Sequence, residues 1–375
     1  MKFRVERDVL AEAVTWVARG LPARPPVPVL AGVLIEANDE GTLTLSAFDY
    51  EVSARITIPA DVAESGQVLV LGRLLADISR NLPTKPIDVS TDGNKVNVAC
   101  GSSRFSLREM PVGDYPTLPP SPDGTGTIAG DLFTQAVAQV AIAADKGDTL
   151  PILTGVRMEI DGDRVTLLAT DRYRLAMREL TWSPVSPDAS HVALIPARQL
   201  ADTAKALGAS GSVELALGDG GEGLIGFEAG QRRATTRLLD GEYPKVTSIF
   251  PTSVDSEAVI NTAALEEAVK RVALVAERNT PVLLKFTDGQ VAIEAGTGED
   301  AQATEAVEAT LTGPELQIAF NPQFLLDGLH AVGTDWSRLS FTQSSRPAVL
   351  SGQPEADGDA DHSYRYVLMP VRFAQ

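Results

Sequence analysis

Side chains that bind transition metals are sparse and scattered in this sequence. The histidines are His191, His330 and His362, and Cys100 is the single cysteine. Zinc sites use His or Cys ligands a few residues apart, and no such pair occurs here. A lone cysteine forms no intrachain disulfide, so nothing points to an oxidising compartment. The sequence therefore predicts neither a zinc site nor a disulfide.

The acidic run 357–361 resembles the opening of a calcium-binding loop. Such a loop needs glycine at position six, for a sharp turn, and glutamate at position twelve, as a bidentate ligand. His362 and Leu368 stand at those positions instead. A solvated hairpin loop is the better interpretation, and no metal or other cofactor is expected.

Residues 218–223 fit the glycine pattern of a dinucleotide-binding turn. That turn must open a helix whose N-terminal amides face the phosphates, but residues 224–228 alternate like a strand. The sequence also has no P-loop lysine motif and no nucleophile elbow. The enzyme alternative is an acid–base site around Asp171, Tyr173 and Arg174, which no second catalytic group accompanies. We therefore predict a non-catalytic protein.

Composition describes a folded, acidic chain. Of 375 residues, 44% are hydrophobic and 22% charged, with 32 basic and 50 acidic side chains giving a net charge of −18. This length predicts two or three domains. No signal-peptide core or long apolar run occurs, so we expect a cytoplasmic protein without a membrane partner. The acidity argues against binding nucleic acid through bulk charge, although a local basic surface remains compatible with it.

The sequence contains an internal repeat. A Leu-x-Asp pair recurs at a spacing of 125 residues in the segments 73–77, 198–202 and 323–327. A second set of markers has spacings of 123 and 130 residues and comprises the Pro-Val/Ile-Leu runs at Pro28, Pro151 and Pro281 and the expected helix caps Asp8, Asp131 and Asn261. The agreement between independent markers predicts three similar modules.

Breaks in composition place the module boundaries. Gly113-Asp114-Tyr115-Pro116 is echoed by Gly241-Glu242-Tyr243-Pro244, which indicates a stiff exit from each of the first two modules. Proline, serine and glycine then cluster near 120–128 and 250–256. We predict modules at 1–122, 128–250 and 256–375.

Hydrophobic periodicity predicts a doubled α+β unit in each module. In the first module, residues 8–19 have helical spacing, with Leu10, Val14 and Val17 on one face, and a second helix covers 72–82. Short alternating strands follow each helix, at 33–35, 43–45, 52–58, 87–89, 96–98 and 104–107. The expected fold has antiparallel sheets on one side and helices on the other.

Basic residues recur on the helices. Arg73 and Arg80 are seven residues apart, as are Arg198 and Lys205, and seven residues are two helical turns. The third module has Gln323 and His330 at the matching positions, and more basic residues stand near the ends of the first helices: Arg7, Arg19, Lys146, Lys270, Arg271 and Arg278. The alternatives are a shared surface that contacts phosphates without reading bases, or ordinary helix ion pairs such as Arg73 with Asp77.

At this point the whole sequence resembles the bacterial replicative sliding clamp family, the beta subunit of DNA polymerase III. The specific segments are 150–156 (LPILTGV), 170–176 (TDRYRLA), 241–244 (GEYP) and 366–372 (YVLMPVR). The resemblance implies a non-catalytic processivity factor: a head-to-tail homodimer of three-module chains closing a ring around duplex DNA, helices inside and sheets outside. Modules alike in shape can repeat one heterologous contact until a ring closes.

The resemblance also implies residue roles. By family position and helix location, Arg24, Arg73, Arg80, Arg198 and Lys205 are expected to contact DNA without sequence preference. The dimer interface is expected to comprise Phe105 and Leu107 of the first module and Leu274 and Val275 of the third. Intramodular core is the alternative role of these four apolar residues.

A second implied site is a pocket between modules two and three. It would bind short linear motifs of the polymerase III alpha subunit, the clamp loader, and other polymerases and repair proteins, and peptide antibiotics are a further expected ligand class. The expected residues are Leu153, Thr170, Arg174, Leu175, Pro244, Ile249, Phe324, Val367, Met369, Pro370, Val371 and Arg372. Tyr173, where relatives often have histidine, and the tail 373–375 depart from the family pattern at the groove mouth. The alternative clamp-like function is a peptide-binding scaffold, such as a specialised extra copy, that never encircles DNA.

Overall fold

The computed structural model describes residues 1–147, 149–218, 223–276, 280–296 and 301–372. These residues contain six α-helices, two in each third of the chain: α1 (Arg7–Ala18), α2 (Gly72–Asn81), α3 (Gly130–Ala141), α4 (Ala197–Leu207), α5 (Thr262–Val272) and α6 (Pro322–Val332). The predicted helices at 8–19 and 72–82 are confirmed to within a residue.

Short strands follow each helix. In the first third they are β1 (Lys2–Val5), β2 (Gly32–Ala37), β3 (Thr42–Phe48), β4 (Val52–Pro59), β5 (Asp61–Glu64), β6 (Gly66–Leu71), β7 (Ile87–Asp92), β8 (Lys95–Cys100) and β9 (Ser103–Arg108). In the second they are β10 (Gly124–Ala129), β11 (Gly155–Asp161), β12 (Arg164–Thr170), β13 (Arg174–Thr181), β14 (Ser183–Pro184), β15 (Ser190–Pro196), β16 (Ser212–Leu217), β17 (Leu224–Ala229) and β18 (Arg232–Arg237). In the third they are β19 (Ser256–Asn261), β20 (Val282–Thr287), β21 (Gln290–Ala295), β22 (Ala303–Thr312), β23 (Leu316–Phe320), β24 (Trp336–Phe341), β25 (Ala348–Gln353) and β26 (Asp361–Leu368). The chain is therefore an α+β protein of three doubled modules, as predicted.

The described strands form antiparallel sheets in two compact units. Unit 1 comprises Met1–Thr134, Ser183–Pro187 and Asp202–Leu238, and unit 2 comprises Gln135–Trp182, Asp188–Ala201 and Leu239–Gln375. Unit 1 holds the sheets β5-β1-β7-β8-β9 and β14-β10-β16-β17-β18-β4-β3-β2-β6. Unit 2 holds the sheet β15-β11-β12-β13-β26-β25-β24-β19-β22-β21-β20-β23. The central module thus contributes one of its sheets to each unit.

Strand pairing continues across both module boundaries. The last strand of the second module, β18, pairs with β4 of the first, and Thr235 lies opposite Ser53. The last strand of the third module, β26, pairs with β13 of the second, and Val367 lies opposite Leu175. The same kind of strand makes both junctions, which is what a repeated module predicts.

The helices bury the faces that the periodicity predicted. Leu10, Val14 and Val17 of α1 are all buried, and α1 packs against α2 and against β3 and β4. In unit 2, α5 packs against α6 and β22. Burial of such apolar faces is the main favourable contribution to folding.

Two of the three predicted helix caps are wrong. Asp8 and Asp131 lie one residue inside α1 and α3, because α1 begins at Arg7 with Glu6 as its N-cap, and α3 begins at Gly130 directly after β10. Their carboxylates then lie in the first helical turn, where they interact favourably with the positive end of the helix dipole. Asn261 is a cap, as predicted: its side chain accepts a hydrogen bond from the amide of Ala264 at 3.0 Å.

The third proline of the repeat is also misplaced. Pro28 and Pro151 open short 3-10 turns that end at the residue before the first glycine of β2 and β11. Pro281 instead directly precedes β20, which begins at Val282. Its spacing of 130 residues is therefore not a structural equivalence.

Some residues singled out in the sequence lie outside the part of the chain that the structure describes. Residues 219–222 of the glycine pattern, Arg278 and the tail 373–375 lie outside the described residues, and strand β17 follows the glycine pattern as predicted. None of the six described helices combines the length and hydropathy that crossing a membrane requires. Among the described residues, no cluster of three or more His, Cys, Asp or Glu side chains is arranged to hold a metal ion.

Candidate functional site

The seam between β13 and β26 builds the floor of the candidate site. Leu175 lies opposite Val367, and Met177 lies opposite Arg365. Alternate side chains of a strand share a face, so all four project from the same side of the sheet. The two apolar residues of the central pair are fully buried, at 1% and 0% exposure.

An apolar cluster surrounds this floor within unit 2. Its buried members are Leu153, Leu168, Leu175, Met177, Leu194, Tyr243, Val246, Val349 and Val367. Four half-buried residues form its rim: Ile152, Leu239, Ile249 and Phe250. The structure thus brings together Leu153, Leu175, Ile249 and Val367 from the predicted pocket. The half-buried rim over this buried cluster, which we call the groove, offers an apolar surface of the kind that suits Leu or Phe side chains.

The segment that ends the second module, Gly241-Glu242-Tyr243-Pro244, also contributes residues to the candidate site. Tyr243 is buried in the apolar cluster, and burial raises the pKa of its hydroxyl above the usual value. Pro244, the next residue, is exposed at the rim. In the first module, Tyr115 accepts a hydrogen bond from the amide of Phe48 at 2.8 Å, and burial raises its pKa to about 12. The tyrosine therefore ties each module exit to its own module.

A tight turn between β12 and β13 holds the polar wall. Thr170 donates its hydroxyl to the carbonyl of Arg174 at 2.6 Å, and Asp171 accepts from the amides of Tyr173 and Arg174 at 3.0 Å. Arg172 has a φ of 77°, the left-handed conformation that this turn requires. Tyr50, at the same position of the first module, has a φ of 76°.

Arg174 is a structural residue of this wall and is 3% exposed. Its Nε donates to Asp171 at 2.9 Å, and its Nη1 donates to Asp327 at 2.6 Å and to the Tyr366 hydroxyl at 3.2 Å. Burial alone would lower the pKa of Arg174, but Tyr366, Asp327 and Asp171 outweigh it and raise the pKa. The guanidinium is thus fully engaged and positions its neighbours.

Aromatic rings stack beside this ion pair. The Arg174 Cζ atom lies 4.4 Å from the centroid of the Phe324 ring, and Tyr173 stacks on the same ring at 6.3 Å. The Tyr366 hydroxyl donates to the Phe324 carbonyl at 2.9 Å. Tyr173 remains 58% exposed, so the stack presents an aromatic surface at the groove mouth.

The last described residues border the groove. The amide of Met369 donates to the carbonyl of Tyr173 at 2.9 Å, and the amide of Val371 donates to the carbonyl of Ala319 at 2.8 Å. Met369 and Pro370 are half-buried, whereas Val371 and Arg372 are exposed. A cleft of about 1110 Å³ lies beside this segment, lined by β20, β23 and the loop 343–347.

Sequence reasoning missed several residues of the site. Asp327, Tyr366, Met177, Phe250 and Arg365 were not assigned to it. A signal existed for Asp327, because it belongs to the repeated Leu-x-Asp pair. Phe250 and Arg365 meet only through the tertiary structure, with the Arg365 Cζ atom 4.6 Å from the Phe250 ring centroid.

The other module junction has a different floor. Ser53 and Thr235 occupy the positions of Leu175 and Val367, and their hydroxyls hydrogen-bond at 2.6 Å, both buried. A satisfied polar pair offers no apolar surface to a ligand side chain. The repeated architecture therefore builds an apolar groove at only one of these two junctions.

The predicted DNA-contact residues are all exposed: Arg24, Arg73, Arg80, Arg198 and Lys205. Arg73 donates to the carbonyls of Leu21 and Pro22, which holds α2 beside the loop that carries Arg24. The alternative pairing of Arg73 with Asp77 is wrong, because Arg80 pairs with that carboxylate at 2.5 Å.

Basic residues from three helices and one strand converge in unit 1. Arg19, Arg80, Lys205 and Arg232 line a recess of about 450 Å³ together with Trp16. Arg232 pairs with Glu12 and lies over the Trp16 ring, 5.6 Å from its centroid. The first and second modules thus bring their basic helix residues together.

The four predicted interface residues differ in exposure. Phe105 on β9 is 41% exposed and Leu274, just after α5, is 84% exposed. Val275 is half-buried. Leu107 is 7% exposed, so it lies in the core of its own module.

Comparisons with known proteins agree along the whole chain. Models of the DNA polymerase III beta subunit match at residues 1–119 (N-terminal domain), 127–245 (central domain) and 247–372 (C-terminal domain). A beta sliding clamp of Streptomyces coelicolor is 61% identical over 376 residues, covering all of both chains. Two solved structures cover all of both chains with TM-scores of 0.92: a sliding clamp from Bacillus subtilis at 28% identity, and one from Pseudomonas aeruginosa bound to griselimycin at 29%.

Replacing Asp327 with asparagine tests the buried ion pair. The change leaves one side of the Arg174 charge without its carboxylate, and we expect the free energy of unfolding to fall by about 1–3 kcal/mol. Urea denaturation measures this. The matched control Asp77→Asn removes the exposed partner of Arg80 and should cost less than about 1 kcal/mol. Equal effects of the two substitutions would contradict the role of Asp327.

Proposed function

Because the chain belongs to the DNA polymerase III beta subunit family, and is a sliding clamp and non-catalytic processivity factor, we propose that two copies close head to tail into a ring around duplex DNA. The helices would face the DNA and the sheets the outside. Each chain would contribute modules at 1–122, 128–250 and 256–375. A ring keeps its hold by topology, so its contacts with DNA can be weak enough to permit sliding.

Two strands, each with one edge left unpaired among the described strands, are the main support for the ring proposal. Strand β9 is equivalent to β18 and β26, the last strands of the later modules, and it stands at the edge of its sheet. Strand β22 is equivalent to β4 and β13, and its residues 303–308 pair only with β21 among the described strands. Every other strand of these two kinds is paired at an internal junction. An exposed strand edge is a template for pairing with another chain.

The pairing at the two internal junctions also predicts the register in which β9 of one chain would pair with β22 of the other. When the pairing of β18 with β4 is carried onto β9 and β22, Phe105 falls opposite Ala303 and Ser103 opposite Glu305. The pairing of β26 with β13 gives the same register independently. Phe105 then comes to lie on the face of β22 whose side chains are half-buried. Leu274 and Val275 are the proposed apolar contacts on the other chain.

Charge complementarity supports this pairing. Arg104 and Arg108 are exposed on β9. On β22, Glu308 is exposed, and Glu305 pairs with Arg271 of α5 at 2.6 Å. That ion pair lowers the pKa of Glu305, which keeps it charged at neutral pH. A basic edge facing an acidic edge favours head-to-tail over head-to-head association.

The exposed basic residues supply the proposed DNA contacts. They are Arg24, Arg73, Arg80, Arg198 and Lys205, joined in unit 1 by Arg19. None is accompanied by an exposed aromatic side chain on its helix, so we infer contact with phosphates rather than bases. The net charge of −18 then limits binding to DNA elsewhere on the surface.

The apolar groove of unit 2 is the proposed tether for other proteins. Its buried floor and the adaptable Met369 suit short linear motifs of the polymerase III alpha subunit, the clamp loader, and other polymerases and repair proteins. A few anchors in a small groove correspond to roughly micromolar affinity, about −8 kcal/mol. A related clamp binds griselimycin, and we include antibiotics among the proposed ligands.

A cysteine pair tests the register of ring closure. We expect the double variant Phe105→Cys, Ala303→Cys to form a covalent dimer on mild oxidation, because opposed residues of paired strands lie within disulfide reach. Non-reducing electrophoresis measures the product. The control pair Arg108→Cys, Ala303→Cys is out of register and should stay monomeric there. Cross-linking of both pairs alike would contradict the register.

Charge reversal tests DNA encirclement. We expect Arg24→Glu, Arg73→Glu and Arg198→Glu together to weaken retention on closed circular DNA, because each removes a phosphate contact and adds repulsion. Retention is measured by gel filtration of loaded complexes.

The control for charge reversal makes the same change of charge at three basic residues outside the helices. The variant Lys2→Glu, Arg164→Glu, Arg346→Glu alters exposed residues outside the helices and should be retained like the unaltered clamp. Linearising the DNA should release the clamp in every case, because only a ring slides off free ends. Equal retention on circular and linear DNA would favour the peptide-binding scaffold that does not encircle DNA.

Truncation tests the groove. Deleting residues 369–375 removes the segment held by the carbonyls of Tyr173 and Ala319, and we expect loss of polymerase-peptide binding with the dimer preserved. Fluorescence anisotropy measures peptide binding, and sedimentation measures the dimer. A control chain ending at Arg372 should bind normally. Unchanged affinity of the shorter chain would reject the groove.

A further inference from the structure

Arg365 extends the floor of the groove by one residue pair. It faces Met177 across the seam and shares a sheet face with Val367, two positions along β26. Two residues of a strand span about 7 Å, so the guanidinium stem starts one side-chain spacing from the apolar floor. A ligand seated on Leu175 and Val367 therefore lies within reach of Arg365.

Uncharged neighbours hold this guanidinium in place. The Phe250 ring lies 4.6 Å from Cζ, and Nη2 lies 3.6 Å from the Met177 sulfur. An aromatic face and a thioether restrict the orientation of the group, and neither carries a negative charge. Arg365 is thus positioned for a partner that these two residues do not supply.

No carboxylate among the described residues lies within hydrogen-bond distance of Arg365. The nearest, Glu179, stands 3.9 Å from Nη2, and the Arg365 Nε is buried without a hydrogen-bond partner in the described chain. The other two arginines of this seam differ: Arg174 reaches carboxylates at 2.9 and 2.6 Å, and Arg178 reaches Asp361 at 3.2 Å.

We propose that Arg365 selects an acidic side chain in the peptides that occupy the groove. The inference rests on the proposed peptide-binding function and deepens it. The occupant is a linear peptide with an apolar anchor on Leu175 and Val367 and an Asp or Glu within two or three positions of that anchor. Arginine is suited to this role because its planar donors match a carboxylate.

A paired peptide scan tests the proposal. Nine-residue peptides with Leu and Phe anchors in a Gly/Ser background carry Asp, or its neutral isostere Asn, at one position at a time. We expect one position near the anchors at which Asp binds about two- to fivefold more tightly, as for a partly exposed ion pair. This preference should weaken as salt concentration rises.

Three variants separate the outcomes. Arg365→Gln should abolish the Asp preference, so that the Asp and Asn peptides bind with equal affinity, and Arg365→Glu should reverse it, so that the Asn peptide binds more tightly than the Asp peptide. The control Arg164→Gln, an exposed arginine at the start of β12, should keep the preference.

The possible failures are distinguishable. The proposal is overturned if no position distinguishes Asp from Asn, or if the preference survives Arg365→Gln. Failure of every peptide to bind would instead reject the groove, and the proposed tethering function with it.

Discussion

Backbone pairing across module boundaries is the constraint on which the rest of this structure depends. The last strand of a module pairs with the fourth strand of the module before it, β18 with β4 and β26 with β13. This pairing satisfies the hydrogen-bonding groups of an edge strand, which would otherwise stay open. It also explains why compact units cut through the central module, since each of its sheets is continuous with a neighbouring module. We propose that the same pairing, repeated once more between two chains, closes a ring.

Side chains decide what each equivalent junction can do. Where the seam carries Leu175 and Val367, the paired side chains are apolar and belong to the buried cluster. Where it carries Ser53 and Thr235, the two hydroxyls satisfy each other and no apolar floor remains. The backbone is nearly the same in both places, even to the left-handed residue in the adjacent turn. The two junctions thus share a strand pairing and differ in whether the paired side chains are apolar or polar.

The groove is held by a buried polar network rather than by its apolar residues alone. Arg174 joins the turn after β12 to α6 and β26 through Asp171, Asp327 and Tyr366. Removing either carboxylate leaves part of the buried Arg174 charge unpaired, so the network favours one geometry for the wall. The same arginine covers the Phe324 ring, which links the polar wall to the aromatic surface at the mouth.

The sequence by itself determined the threefold repeat, the doubled α+β module and the helix faces, because helical and strand periodicities are local and survive in any context. It also determined the family, through runs at 150–156, 170–176, 241–244 and 366–372 that are specific to it. It misplaced Asp8, Asp131 and Pro281, because a cap or a turn depends on where the neighbouring strand ends. Only the tertiary structure decided that Arg174 is buried and that, among the described residues, no carboxylate lies within hydrogen-bond distance of Arg365. Those states depend on Asp327, Phe250 and other residues distant in the chain, and no local pattern encodes such distances.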